Sequence, residues 1–567
     1  MKDANVYDVV WPRGKSTITG AKLAKRLDTL EGKVVAELWD WVFKGDVMCE
    51  GFEAELGRRY PGIRFISWKE FGEIHGGKEH EVLADLPGKL KSFGVDAVIC
   101  GVGCCGSCIA AVTRTSILVE KLGIPTVTLC CDGFQTAGGF NAAGEGYPNL
   151  PYAVHPGHVN FFTDEEIYKN AAEVMTDQVV KALTVQPADA KPVKEPGMRD
   201  IVFSGNLKEV NDFYYMREWS DGLPVIPPVI EEVEKFLRFT ARPAGSVVGV
   251  LKPDNREATI WNIAVNGVMS GCRPEYMPVL IAIVEGLCDP DFGQEHLGQT
   301  PGTETLIIIN GKIIKDLEFN YTQGILRPGF QANTSIGRFL RMYIRNVCGF
   351  LPHKADKGCF GDNFRIVLAE NEDAIAEAGW QPLSADRGFK TGDNVVTLTS
   401  VTERTQLIES GMPTAEGTLE NIAKRMADNH LFIQFFFRGQ KTRPLIILTP
   451  LVVKELAKAG YTKEKIKRYL YENAKLKPAD MSGKEIARFQ KGIEDGSWPE
   501  QLGTSADPNR YVQMVSDPDD LQIAVSGDPA RDHTLVCAQN GFIGYPVSKK
   551  IELPSDWDAM LRGSANN

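Results

Sequence analysis

Nowhere in the chain do about 18 apolar residues run without interruption, the length a helix needs to cross a bilayer. The opening stretch, Met-Lys-Asp-Ala-Asn-Val-Tyr-Asp-Val-Val, lacks the apolar core of a secretory signal. No membrane partner is expected, and the expected location is cytoplasmic. No block of Lys and Arg stands out, and the formal net charge of -11 argues against nucleic acid or an anionic membrane surface as the main partner. Also missing are a Walker loop, a GxGxxG motif after a strand, an HExxH pair and a GxSxG elbow, so nucleotide, flavin and zinc-protease chemistry has no support.

What is present reads as a multidomain α/β protein. A hydrophobic share of 43% and a charged share of 24% are ordinary for a globular chain, and 567 residues exceed what one core usually supports. The break falls at 186–200, where Gln186-Pro187-Ala188-Asp189-Ala190-Lys191-Pro192-Val193-Lys194-Glu195-Pro196-Gly197 carries three prolines and little apolar content. The expected division is therefore 1–185, a linker at 186–200, and 201–567, the last with room for two subdomains. In the first part strands expected at 33–38, 63–67 and 126–131 alternate with helices at 48–59, 81–93 and 165–183, which predicts a mainly parallel sheet with helices on both faces. Strands at 306–309, 431–437, 445–448 and 521–525, with helices at 259–269, 274–287, 451–459 and 463–471, predict a larger mixed α/β domain after the linker.

In a reducing compartment twelve cysteines are not expected to form a disulfide framework, so clustered ones read as redox, catalytic or metal-binding. Four fall between 96 and 108. Ala97, Val98 and Ile99 make a short strand, and Gly101, Gly103 and Gly106 permit a tight turn. Ile109, Val112, Ile117, Leu118 and Leu122 then follow at near-helical spacing, with Gly123 as the stop. Cys105 and Cys108 thus sit at or just before a helix N-terminus, where the helix dipole can lower a thiol pKa from about 8.5 to roughly 3.5–7.5. The competing reading is a metal or iron-sulfur site built from Cys100, Cys104, Cys105, Cys108, Cys130 and Cys131. Against it, no second CxxC lies at zinc-finger distance, and adjacent cysteines chelate one metal poorly. Residues 134–160, with Gly138, Gly139, Gly144, Gly146 and then His155-Pro156-Gly157-His158, follow a core strand and are expected to wall or cover the same site. His155 is the candidate acid there, with a solvated or capping role as its alternative. Cys49 is isolated and reads as structural.

The tetrad Cys105-Gly106-Ser107-Cys108 and its flanks, from Gly32-Lys33-Val34-Val35 to Gly123-Ile124-Pro125-Thr126-Val127, resemble the UGSC family, whose members carry selenocysteine or cysteine first in the tetrad. More distantly, the same strand, loop and Gly-Ile-Pro segment are similar to the selenoprotein B subunits of glycine and betaine reductases. That resemblance implies a first residue that attacks a carbon bearing an amine leaving group, and a neighbouring cysteine that resolves the adduct. Here Cys105 stands where selenium would sit, and Ala111 where the reductases have a third cysteine.

The second half resembles an uncharacterised family often met beside UGSC proteins. The matching stretches are Asp221-Gly222-Leu223-Pro224-Val225-Ile226-Pro227-Pro228, the run from Ala264 through Cys272-Arg273-Pro274-Glu275-Tyr276, and Ile336-Gly337-Arg338. That family brings no chemistry, so candidates come from the residues. Cys272 and Arg273 lie between two helices as a second thiol or an anion contact, against a core cysteine beside a surface arginine. Arg338, Arg341 and Arg345 share a helix face suited to a carboxylate or phosphate, against a salt-bridged surface. Thr300-Pro301-Gly302-Thr303 is a weak candidate for an anion loop. Taken with the resemblance, these residues give the expectation of a cysteine-dependent reductase that cleaves a C-N or C-S bond. Its substrate is a small, anionic metabolite, with Cys105 and Cys108 catalytic and Cys104, His155, Cys272, Arg273 and Arg338 contacting that substrate. No tightly bound cofactor is expected, and an external thiol or thioredoxin-like reductant resets the site. A thiol-dependent lyase or transferase and a metal or iron-sulfur protein are the alternatives. The site is expected between the two halves, and the apolar second half leaves room for a homodimer.

Overall fold

The computed structural model describes residues 6–564 except 19, 77, 189–193, 362–365, 429–440, 495, 497, 499 and 540–543. Its first strand, β1 (Tyr7–Val10), does not join the sheet that follows it in sequence. Next come β2 (Val34–Trp39), α1 (Gly45–Arg59), β3 (Arg64–Ile66), α2 (Glu79–Ser92), β4 (Ala97–Gly103), α3 (Gly106–Lys121), β5 (Thr126–Cys131), α4 (Gln135–Gly144) and β6 (Tyr152–His155). The apolar, β-branched composition of β2, β4 and β5 leaves every residue of these strands buried. Strands covered on both faces are expected to read as such continuous apolar runs.

The strands form one parallel sheet in the order β3-β2-β4-β5-β6, so the expected doubly wound arrangement is present. The chain leaves β2 for β3 on one side and returns to place β4 on the other. The crevice between the ends of β2 and β4 is therefore a topological switch point, where open sheets of this kind bind ligands. The long helix expected at 165–183 is Asp164–Asn170 and Thr176–Thr184 joined by a π turn at Ala171–Met175. Within 134–160, expected as a lid or wall, Gln135–Gly144 form the helix α4.

The second half is mixed α/β as expected. Its main sheet runs Leu368–Ala369, Glu304–Asn310, Val395–Leu407, Thr534–Gln539, Leu445–Leu448, Gln522–Val525, with Val547–Lys550 also paired to the long strand Val395–Leu407. Along this order the two outermost pairs are parallel and the three between them antiparallel. The strand expected at 431–437 lies outside the described residues.

One feature was not legible in the sequence. β1 pairs antiparallel with Ile201–Gly205, and Val9 and Val10 are fully buried in the second half's core beside Tyr214 and Trp261. The core of the parallel sheet, from Leu30 to Leu183, contains neither valine. Among the described residues no helix is long and apolar enough to cross a membrane.

Candidate functional site

The turn out of β4 is built by small residues under tight contact. A methyl group at Gly101 would lie 2.6 Å from Leu129 Cβ, and one at Gly103 would lie 3.0 Å from Ile109 Cα, so each glycine lets a neighbouring element close in. Asp40, at the end of β2 and fully buried, accepts a hydrogen bond from Val102 N at 2.9 Å, and its own N-H donates to Gly101 O at 3.0 Å. This carboxylate braces the base of the loop. The sequence reading passed over it, although an Asp closing an apolar strand was the available signal.

Cys105 is the N-cap of α3. Its backbone is extended, and its Sγ accepts from Cys108 N at 3.1 Å, taking the place of the usual Ser or Asp oxygen. Ser107 Oγ lies 3.4 Å from the same sulfur. Cys105 and Cys108 are joined sulfur to sulfur, with Cα atoms 5.1 Å apart, within the ordinary disulfide range. Cys105 is half-buried, whereas Cys108 is only 5% exposed, so a single sulfur of the pair meets the outside.

A second, more deeply buried pair begins at the preceding residue. Cys104 is joined to Cys131, again with Cα atoms 5.1 Å apart, and the two are 2% and 0% exposed. Cys104 is therefore committed to another cysteine rather than open to a substrate. Cys100 and Cys130, the other two members of the cluster, remain single buried thiols, and burial pushes each up to about 12. Among the described residues, no group of three or more His, Cys, Asp or Glu is arranged to hold a metal ion.

The second half closes over this loop. A methyl at Gly106 would sit 2.7 Å from Gln299 Cα and closer still to the Gly298 carbonyl oxygen, so backbone meets backbone there. Lys357 Nζ donates to Gly133 O at 3.1 Å and lies 4.7 Å from the Phe134 ring centre. Around these contacts opens a cleft of about 700 Å³. Phe134 lines it from the first half, and Thr300, Thr303, Arg341, His353 and Lys357 are among its lining residues from the second. Phe134 N bonds to Cys131 O at 3.1 Å, and Gln299 runs directly into Thr300, so both walls connect to the dicysteine loop within a few residues. The expected placement of the loop against the second half is what the structure has.

The remaining candidates are distributed elsewhere. His155 is buried beside Cys131 in the sheet, with Nδ1 3.0 Å from Gly157 O and Nε2 3.2 Å from Asn170 Nδ2; burial holds its pKa below the usual imidazole value. Both ring nitrogens are thus occupied. The three arginines on Gln331–Tyr343 and its extension go to three partners. Arg338 makes a two-pronged contact with Asp221 at 2.9 and 3.1 Å, Arg341 pairs with Glu304 at 3.0 Å, and Arg345 donates to Glu218 O at 2.7 Å. Only Arg341 lines the cleft. Arg273 pairs with Glu275 at 2.8 Å, and Cys272 is buried with its pKa pushed up to about 12. Cys272, Arg273 and Arg338 lie near one another but not in the cleft. Lys357 escaped the sequence reading because nothing local marks it; only the fold brings it to Gly133.

A doubly wound sheet with paired cysteines in its switch-point loop defines the first half as a dicysteine α/β domain. Residues 8–185 match the model of the UGSC family. No curated protein matches the chain.

Proposed function

We propose that the chain is a cysteine-dependent reductase that cleaves a C-N or C-S bond in a small anionic metabolite. The observation that carries this reading is the half-exposed Cys105 sulfur at a helix N-terminus, joined to Cys108 three residues on. In the reduced site the Cys108 N-H and the helix dipole favour the Cys105 thiolate. That thiolate attacks the carbon bearing the amine or thiol, a carbon-sulfur bond forms, and the leaving group departs with a proton. Cys108 then attacks Cys105 Sγ; the carbon-sulfur bond breaks, its electron pair stays with carbon, and carbon takes up a proton. The substrate gains two electrons, and the two thiols lose them as a disulfide. An external thiol or thioredoxin-like protein restores the dithiol. Lys357, beside the 300–303 loop, is the cation of the cleft that suits a carboxylate, whereas Arg341 is paired with Glu304.

The test uses small carboxylates bearing an α-amine or α-thioether. Cys108→Ser is expected to accumulate a covalent adduct on Cys105, seen by intact mass, and Cys105→Ser to bind without reacting. An adduct that resolves in Cys108→Ser with no thiol consumed favours a lyase or transferase instead. Normal turnover by Cys105→Ser sinks both.

A further inference from the structure

We infer that Cys104–Cys131 is a second, internal redox pair that exchanges electrons with Cys105–Cys108, so that the site stores four electrons and is loaded through one accessible sulfur. This rests on reading Cys105–Cys108 as a redox pair, and extends it to residues that reading leaves idle.

Three observations carry the inference. Cys104 and Cys105 are consecutive, so the two sulfur pairs share one loop, with Cα atoms only about 3.8 Å apart across the peptide. The two pairs differ in access: Cys104 and Cys131 are 2% and 0% exposed, whereas Cys105 is half-buried. A protein-sized reductant therefore meets Cys105 and cannot meet Cys131. Finally, the strands that Cys104–Cys131 ties together are already neighbours in the sheet, with Gly103 in register with Cys130. A cross-link between them adds little that the sheet does not already fix. Cys100 and Cys130, equally buried within the same core, stay single.

The exchange has a favoured direction of bond breaking. When Cys105–Cys108 is oxidised and the inner pair is reduced, the Cys131 thiolate attacks Cys108 Sγ. The Cys108–Cys105 bond breaks, and the electron pair leaves on Cys105, where the Cys108 N-H at 3.1 Å and the helix N-terminus stabilise a thiolate. Cys104 then attacks Cys131 Sγ, the Cys131–Cys108 bond breaks, and Cys108 departs as thiolate in the first turn of α3. The inner pair has lost two electrons and two protons; the outer pair has gained them. Run backwards, the same steps load the inner pair from the outer one. A thioredoxin-type dithiol is the ultimate reductant.

The experiment needs no substrate. Air-oxidised protein is exposed to thioredoxin kept reduced by its reductase, quenched in acid at intervals and alkylated, and each cysteine is followed by peptide mass. The expected result is alkylation of all four cysteines in the native parent, with Cys104 and Cys131 trailing Cys105 and Cys108. In Cys105→Ser/Cys108→Ser the inner bond should persist until the chain is unfolded in denaturant, a loss of rate of at least about tenfold. Circular dichroism checks the variant's fold, and the order of reduction in the parent decides the question if the variant does not fold. The inference is overturned if the inner bond stays oxidised in the native parent, is reduced ahead of the outer pair, breaks as fast in the double variant, or is absent from the oxidised protein. If Cys105–Cys108 itself resists reduction, the reductase reading fails and not merely this extension of it.

Discussion

The close approach of the two halves at the dicysteine loop makes a sharp prediction at Gly106. A Gly106→Ala methyl meets the Gly298 carbonyl group and, at 2.7 Å, Gln299 Cα. Both are backbone, so no side chain can swing away, and relief requires the halves to separate or α3 to shift. Overpacking of this kind costs about 1–3 kcal/mol. Because Gly106 is the first residue of α3, the alanine recovers at most the roughly 0.5–1 kcal/mol of helix preference found in helix interiors, leaving a net loss of about 0–2.5 kcal/mol. Gly57 in α1 is the matched control: it is helical too, and its added methyl meets nothing within 4 Å. Gly57→Ala is therefore expected to gain up to about 1 kcal/mol. Urea denaturation of both variants, compared at constant slope, reads the difference. Alkylation of reduced Cys105 supplies a second readout and should run faster in Gly106→Ala, because the displaced segment at 298–299 no longer covers the loop. If Gly106→Ala is as stable as Gly57→Ala and its Cys105 reacts at the parent rate, the two halves do not meet at this residue and the cleft is not built as described.

Four further outcomes are expected. Glu37 is 1% exposed, and burial, followed by Glu53, raises its carboxyl to about 8. Its folded pKa therefore lies above its unfolded one, and the folded state holds a proton that the unfolded state has lost between about pH 4.5 and 8. That contribution is present below pH 4.5 and is lost as pH rises through the window, at up to roughly 1.4 kcal/mol per unit. Glu37→Gln should thus gain stability at pH 8 and little at pH 5; an equal change at both refutes the assignment. Arg26 and Glu120 form a pair at 2.9 Å with side chains 2% and 0% exposed, and Glu120→Gln, which strands a buried guanidinium, is expected to lose about 3–5 kcal/mol in denaturant melts. Arg338→Ala should lower stability by about 1.5–3 kcal/mol through loss of its Asp221 and Pro224 contacts and leave KM unchanged; a raised KM would return Arg338 to the substrate site. Lys357→Ala should do the reverse, raising KM for the anionic substrate several-fold with a melt close to the parent's.

The parts of this molecule that periodicity and local chemistry decide were legible in the sequence. Continuous apolar strands gave the parallel sheet, the glycine-rich turn placed Cys105 at the start of α3, and Gly123 closed that helix near the expected residue. What was not legible depends on long-range contact. The strand order brings Cys130 and Cys131 to the loop's neighbourhood, but that Cys104 joins Cys131 and leaves Cys130 single is decided by the packing of β5 against β4. The arginine row at 338–345 does share a helix, as its spacing requires, but the choice of partner for each is made by loops from 218–224 and by Glu304. His155 looked like a candidate acid because its neighbours in sequence are loop residues; its neighbours in space are Asn170 and the Gly157 carbonyl, which occupy both nitrogens.

The pairing of β1 with Ile201–Gly205 sets a schedule for synthesis. At about 5–20 residues per second, Val10 emerges some 10–40 s before the strand it must pair with exists. By the end of that wait, about 1–4 s before Ile201 is made, the segment from Leu30 to Leu183 contains its whole core and can fold, with the strand Tyr7–Val10 still unpaired. Such a strand is an open edge looking for a partner, and on a polysome the nearest one is the same strand of the next nascent chain. Crowded translation should therefore favour cross-pairing between chains, and slowing initiation should raise the yield of correctly closed protein without any change to its sequence.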